Sequence, residues 1–299
     1  MTIRFGVSPI AWINDDMPEL GGDTPLETVF ADAHDAGFAG IELGGKFPRA
    51  PEALRAALSP YELALVGGWY STELLTRSVD EEIEALQAHL GLLKAMGSQV
   101  FIAAETSNAV HSRRGVPLAS TPRLESGQWQ RFGTRLSDLA EYVAGEGLRF
   151  AYHHHLGTVV EREEDVRSFL RETSPQVGFT VDTGHAALGG FDAIWLIEQA
   201  PGRVAHVHCK DVRRPVFEQL LADGGSFLDG VLAGMFTAPG DGSLDFGRVM
   251  KSLRAIDYSG WVIVEAEQDP AIADPRRYAI MGIQTLKREA ALHGLEEAA

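Results

Sequence analysis

The sequence predicts a (β/α)8 barrel, a TIM-barrel α/β fold in which eight parallel strands close on themselves and each is followed by a helix. Three observations carry that expectation. Short apolar strands alternate with longer amphipathic helices eight times along the chain, no linker or composition break interrupts them, and 299 residues suit a fold that commonly takes about 250. A doubly wound open sheet is the competing arrangement, but eight successive units favour closure. The organisation expected is a single domain over residues 1–299.

Ile3 to Val7 reads as the first strand, and residues 24–36 as a helix capped by Asp23 or Thr24 and ended by Gly37. Residues 39–43 are the second strand, 51–58 a short helix opened by Pro51, and 63–69 the third strand. Ser78 and Glu81 form a capping box ahead of the stripe Ile83, Leu86, Leu90 and Leu93, which Gly97 stops. Residues 99–103 make strand four, and Trp129, Phe132, Leu136, Leu139 and Val143 mark its helix. The remaining strands fall at 149–153, 177–182, 204–209 and 261–265, with helices over 161–172, 193–199, 246–256 and 275–293. Long connections at 106–127 and 210–245 follow strands four and seven, on the side where barrel active sites are built, so they read as lids.

With 45% hydrophobic and 23% charged residues, the chain is neither disordered nor fibrous. A net charge of -16 without a basic block argues against nucleic acid as the main partner. Cys209 is the single cysteine, so no intrachain disulfide is possible. The opening MTIRFGVSPIAW lacks the apolar core of a signal peptide, and no run approaches the ~18 apolar residues of a membrane span. A cytoplasmic protein is expected.

The strand ends concentrate chemistry. Strand one leads into Trp12, Asn14, Asp15 and Asp16, strand two into Glu42 and Lys46, strand three into Trp69, and strand four into Glu105. Strand five ends in His153, His154 and His155, strand six in VDTGH with Asp182 and His185, strand seven in HVHCKD with His206, His208, Lys210 and Asp211, and strand eight in VEAEQD with Glu265 and Glu267. Period-two alternation puts His206 with His208, and His153 with His155, on one face, while His154 and Cys209 point away. Carboxylates and imidazoles from adjacent strands form an N/O ligand set for a divalent metal.

Each residue also has a structural reading. A lone strand-end His is commonly a hydrogen-bonded core residue, Asp182 fits a helix cap, and Trp12 and Trp69 fit rim packing. Asp182, His208 and Glu265 together resist that reading, because three buried polar groups at adjacent mouths need partners. PGDGS (residues 239–243) lacks the Lys-Ser/Thr of a phosphate loop and reads as a turn or hinge, and Ser226 has no nucleophile-elbow context.

The set Asp182-Thr-Gly-His185, His206-Val-His208 and Glu265 resembles the xylose isomerase-like barrel superfamily, which includes sugar epimerases and endonuclease IV. Within it, the segments SPIAWINDDMPELGGDT, GIELGGKFP, YHHHLGT, HVHCKDVR, SFLDGVLAGMFTAPGDG and VIVEAEQDP resemble the inosose dehydratase family of myo-inositol catabolism from Phe5 to about Tyr278. The resemblance implies metal ligands at the end of strand five, Asp182, His208 and Glu265. The usual strand-five ligand is Glu and His153 stands there, so His153, His155 or water completes the set; Glu267 is the alternative to Glu265 on the same face. It further implies substrate contacts at His185 and Arg213, with Asn14, Asp15, Glu42, Lys46, Trp69 and Glu105 as further candidates from the strand ends.

The implied reaction is loss of water from 2-keto-myo-inositol. Glu265, a His of the 153–155 cluster and Lys210 are the acid–base candidates, and mixed ligands point to Mn²⁺ or Co²⁺. The partner expected is a small cyclitol, without nucleic acid or membrane, and a homo-oligomer is left open. Two other readings stand beside it: an isomerase or epimerase using the same enolate chemistry, and an endonuclease-like role that the net charge disfavours.

Overall fold

Eight parallel strands close into a barrel in the computed structural model, which describes residues 2–298. They are β1 (Thr2–Val7), β2 (Gly40–Leu43), β3 (Ala64–Thr72), β4 (Val100–Glu105), β5 (Arg149–His153), β6 (Gly178–Asp182), β7 (Val204–Cys209) and β8 (Gly260–Val264). Each pairs with the next, and β8 returns to β1 with Val264 opposite Val7. A short strand, Glu296–Glu297, adds to the start of β1. No helix among the described residues is long and apolar enough to cross a membrane.

Alternation along each strand sorts its side chains into two populations. Ile41, Phe101, Tyr152, Phe179, Val207 and Val262 face outward into the large core beneath the helices. Val66, Val100, Ile102, Ala151, Trp261 and Ile263 fill the barrel interior. The inward positions toward the carboxyl ends carry Glu42, His153, Asp182, His208 and Glu265, so one alternation builds the core and aims the site.

The interior is narrow where β1 and β2 cross it, and glycine makes room. A Cβ on Gly6 would lie 2.7 Å from Ile263 Cδ1, and one on Gly40 2.7 Å from the Trp261 ring. Outside run α1 (Leu26–Ala36), α2 (Pro51–Leu58), α3 (Val79–Met96), α4 (Ser126–Gly145) and α5 (Glu163–Glu172). The Ser78–Glu81 capping box of α3 is present, and Gly37 and Gly97 end α1 and α3 in the left-handed region. The first helix differs from expectation. It starts at Leu26 behind Pro25, and neither Asp23 nor Thr24 caps it.

The second half holds three short helices beyond those expected, one after β6 and two in the β7 insertion, while the helix expected at 193–199 is present. α6 (Thr183–Leu188) directly follows β6, ahead of α7 (Ala193–Gln199). The stretch expected as a lid over 210–245 is mostly structured. It contains α8 (Arg214–Ala222), α9 (Phe227–Leu232) and a two-stranded ribbon, Asp211–Val212 with Phe236–Thr237. Then come α10 (Phe246–Ala255) and α11 (Pro275–Leu292).

Above the barrel these loops make a second core from Met17, Leu118, Leu156, Leu188, Phe227 and Phe236, among others. Backbone bonds stitch them together: Val110 N–H donates to Gly157 O at 2.8 Å, and Leu118 N–H to Gly225 O at 2.9 Å. The two expected lids are therefore a packed roof. The PGDGS segment wraps a carboxylate of its own chain, with Gly240, Gly242 and Leu244 N–H groups all donating to Asp211.

The tight interior makes a testable demand. Gly6→Ala should cost about 1–3 kcal/mol by overpacking, and Ile263→Val alone about 0.5–1.5 kcal/mol. Together they should cost clearly less than their sum, because Ile263→Val removes the Cδ1 that the new methyl would strike. Strict additivity in denaturant unfolding would show that the two positions do not compete for the same space.

Candidate metal centre and active site

β6 ends by placing Asp182 beside His208 in the parallel ladder, β5 delivers His153 one strand away, and Glu265 follows β8 with its N–H on Cys209 O. One ligand-type atom from each of His153, Asp182, His208 and Glu265 falls within 4.8 Å of the others, all four side chains being buried. His153 Nε2 and His208 Nδ1 are 3.2 Å apart, Asp182 Oδ2 is 3.6 and 3.7 Å from them, and Glu265 Oε2 is 2.6 Å from His208. Donors about 2.1 Å from one ion stand roughly 3.0–3.4 Å apart, close to this spacing.

Outer partners choose the tautomers. His153 Nδ1–H donates to His154 O at 2.8 Å, leaving the Nε2 lone pair for the cluster. His208 presents Nε2 to Glu42 at 3.0 Å and so turns Nδ1 inward. Glu42 also accepts from His206 at 2.8 Å. Burial opposes the Glu42 charge, but His208 and His206 outweigh it and hold the carboxyl far below the usual range. His208 shows the reverse balance: burial disfavours its cation, and Glu42 and Glu265 pull it well above an ordinary histidine. The cluster thus demands positive charge at its centre.

The two oxygens of Asp182 have different surroundings. Its Oδ1 accepts the His185 N–H at 2.8 Å and caps α6. Its Oδ2 is buried without a hydrogen-bond partner, 3.6 Å from His153 Nε2. A buried carboxylate oxygen left bare is costly, and a cation among the four residues resolves it. The donor set therefore fits a divalent metal, and His153 is the strand-five residue whose ring nitrogen falls among the other three donors.

The cluster lies against a cavity of about 340 Å³ lined by Glu42, Trp69, His111, His155, Glu265 and Glu267, among others. Asp15 and Asp16 line its outer part with Arg49. Trp69 leans its ring on His153, His155 and His111. His155 donates Nδ1–H to Leu156 O at 2.7 Å, which leaves Nε2 as a lone pair. Glu267, read from sequence only as a substitute for Glu265, is buried with Oε1 unpaired. Burial pushes its carboxyl up to about 7 against the pull of Lys210.

Several expected contacts are corrected. Lys46 turns away and donates to Gly22 O and Thr24 O at 2.5 and 3.1 Å, tying down the loop before α1. Asn14 folds its Oδ1 onto the Asp16 and Met17 N–H groups and does not line the cavity. Glu105 is buried with Thr72, Leu74 and Ser107, where it fastens the end of β4. Arg213 is spent on Gly234 O, Thr237 and Asp241 in the β7 insertion. His185 sits behind His155, with Nδ1 accepting the Leu156 N–H at 3.2 Å. Lys210 is fully buried, 2.7 Å from Glu265, and so is a held charge rather than a cavity-lining acid or base. His154 and Cys209 point outward as alternation requires, His154 Nε2 accepting the Asp182 N–H.

The model of a family described as xylose isomerase-like TIM barrel matches residues 30–289. A rhizopine catabolism protein MocC from Rhizobium meliloti is 45% identical over 98% of this chain and 90% of its own length. An inosose dehydratase from Geobacillus thermodenitrificans is 38% identical over 97% of this chain and 98% of its own. Among solved structures, an L-ribulose 3-epimerase superposes with a TM-score of 0.66 at 18% identity, covering 100% of both chains, which speaks to the fold alone.

The cap at Asp182 and metal binding there separate by mutation. Asp182→Asn keeps a cap oxygen and loses the ligand charge, so metal affinity should fall at least about 10-fold while the thermal midpoint barely moves. Asp182→Ala should lose the cap as well, at about 1 kcal/mol. Metal retained in both variants, measured by elemental analysis, would remove Asp182 from the ligand set.

Proposed function

The chain belongs to the xylose isomerase-like TIM barrel family, and from that premise we propose that it is a hydro-lyase of cyclitol catabolism. Its reaction removes one water from 2-keto-myo-inositol (scyllo-inosose) to give a trihydroxycyclohexane-1,2-dione. The observation that carries this reading is its similarity, along almost the whole chain, to proteins named inosose dehydratase. The cavity suits it, being large enough for a six-membered polyol and furnished with polar groups on several sides.

His153, Asp182, His208 and Glu265 would hold a divalent ion, Mn²⁺ or Co²⁺ from the mixed ligand types, supplying a Lewis acid that polarises the ketone. The protein's own groups carry the protons. A C–H beside the ketone is acidic enough for a neutral imidazole to attack, and His155, which lines the cavity and keeps its Nε2 lone pair, is assigned as that base. Glu267, with its carboxyl range near neutral pH, donates to the departing β-hydroxyl, so one proton and one hydroxyl leave as water. Lys210 holds Glu265 and Glu267 in place, and Trp69 offers an aromatic wall to the C–H face of the ring.

A second reading comes from the 45% identity with MocC: the natural substrate is drawn from rhizopine catabolism. Comparing kcat/KM on scyllo-inosose and on rhizopine-derived cyclitols separates the two. An epimerase reading rests on fold likeness alone.

Removing metal with a chelator should abolish formation of the enedione chromophore from scyllo-inosose, and Mn²⁺ or Co²⁺ should restore it. Full turnover in a preparation shown metal-free by elemental analysis would refute the metal-assisted reading. Glu267→Gln and His155→Gln should each lower kcat by roughly 10²–10⁴-fold with bound metal retained. A Glu267→Gln enzyme with unchanged kcat would take Glu267 out of proton transfer.

A further inference from the structure

Beside the four-residue cluster lies a second set of metal-ligand types. His155, His185 and Glu267 bring one ligand-type atom each to within 4.8 Å of one another, all buried. A third group, Glu42, His206 and His208, shares His208 with the first and is closed by its own hydrogen bonds. The first and second sets together have the frame of a two-ion centre, in which a carboxylate bridges ions about 3.5–4 Å apart. Glu265 has that bridging posture. Its Oε2 faces His208 in the first set, while its Oε1 faces toward the second.

The second position is already filled by the chain. Lys210 Nζ stands 2.7 Å from Glu265 Oε1, 3.4 Å from Glu267 Oε2 and 3.1 Å from His185 Nε2. Its side chain is fully buried, and the ammonium lies 4.4 Å above the Phe236 ring, which favours a cation further. His185 turns Nδ1 to the Leu156 N–H and Nε2 to the Lys210 ammonium, so its ligand-type atom in the second set is already engaged by the chain. Charge points the same way. The Lys210 ammonium already stands against Glu265 and Glu267, and a second divalent ion at the same place would be repelled by it.

We propose that Lys210 is a built-in second cation: its ammonium bridges Glu265 and Glu267 where a second metal ion would sit, and so makes this a one-ion centre. The inference rests on reading His153, Asp182, His208 and Glu265 as the metal site. A fixed ammonium cannot be lost by dilution or chelation, so the charge beside the reacting ring depends on one dissociable ion.

Co²⁺ and Mn²⁺ bound per folded chain, counted by equilibrium dialysis and elemental analysis at saturation, test it without reference to activity. The wild-type protein should bind one ion. Lys210→Met, close in size and uncharged, should bind two, the second held through Glu265, Glu267 and His155. Lys210→Met with Glu267→Gln should return to one. Two ions in the wild type, or one in a folded Lys210→Met protein, would overturn the proposal. Should Lys210→Met fail to fold, Lys210→Gln gives the same test, and the wild-type count remains decisive against it. No ion in the wild type would instead refute the first site, and this proposal with it.

Discussion

Four carboxylates buried in one barrel mouth, Glu42, Asp182, Glu265 and Glu267, set the terms for their surroundings. Charge taken out of water must be met within a few ångströms or it costs several kcal/mol per group. Every contact in the site answers that demand. Glu42 is met by two imidazoles, Glu265 by His208 and Lys210, and Asp182 by a helix amide on one oxygen. What remains, Asp182 Oδ2 and Glu267 Oε1, is where the protein has withheld a partner. Those two oxygens lie where the proposed reaction would place an ion and a proton. The charge balance and the chemistry are one arrangement seen twice.

The barrel holds such a site because its alternation leaves nothing to chance at the strand ends. Shifting any strand by one residue would exchange Asp182 with Val181 or His208 with Val207, sending apolar groups into the cavity and carboxylates under the helices. Glycines on β1 and β2 let Trp261 and Ile263 reach across the interior, so the floor beneath the polar layer is solid apolar packing. A dry floor strengthens each electrostatic interaction above it.

Much of this was legible before the structure. The order of strands follows from the alternation of apolar segments with helices, and the capping box from the spacing of Ser78 and Glu81. The shared faces of His206 with His208 and of His153 with His155 follow from period-two alternation, while the four-residue set comes from the family resemblance, which leaves its strand-five member open. What stayed hidden has three physical causes. Glu267 owes its raised carboxyl range to burial against the pull of Lys210, with Asp16 adding to it, neighbours that only closure of the barrel brings near it. Lys46, Glu105 and Arg213 follow strand ends as active residues do, yet local carbonyls, amides and hydroxyls capture them first, and sequence does not say how tightly a loop turns. The helices α6, α8 and α9 have 6, 9 and 6 residues, too few for a period of 3.6 to stand out. For Asp182 the cap and the proposed ligand role are compatible, because the cap uses one carboxylate oxygen and leaves the other bare.

The roof over the mouth has a consequence for how such a protein can change. Met17, Leu118, Leu156 and Phe236 come from four different strand-to-helix loops, yet they share one apolar cluster. In a barrel whose loops are independent, selection can rewrite one of them for a new substrate and leave the scaffold untouched. Here a substitution that reshapes the entrance also unpacks its neighbours, so innovation and folding draw on the same residues. Diversification should then proceed by coordinated replacement of several loops, and a breeder of new activities would do better to graft the roof whole than to alter it one residue at a time.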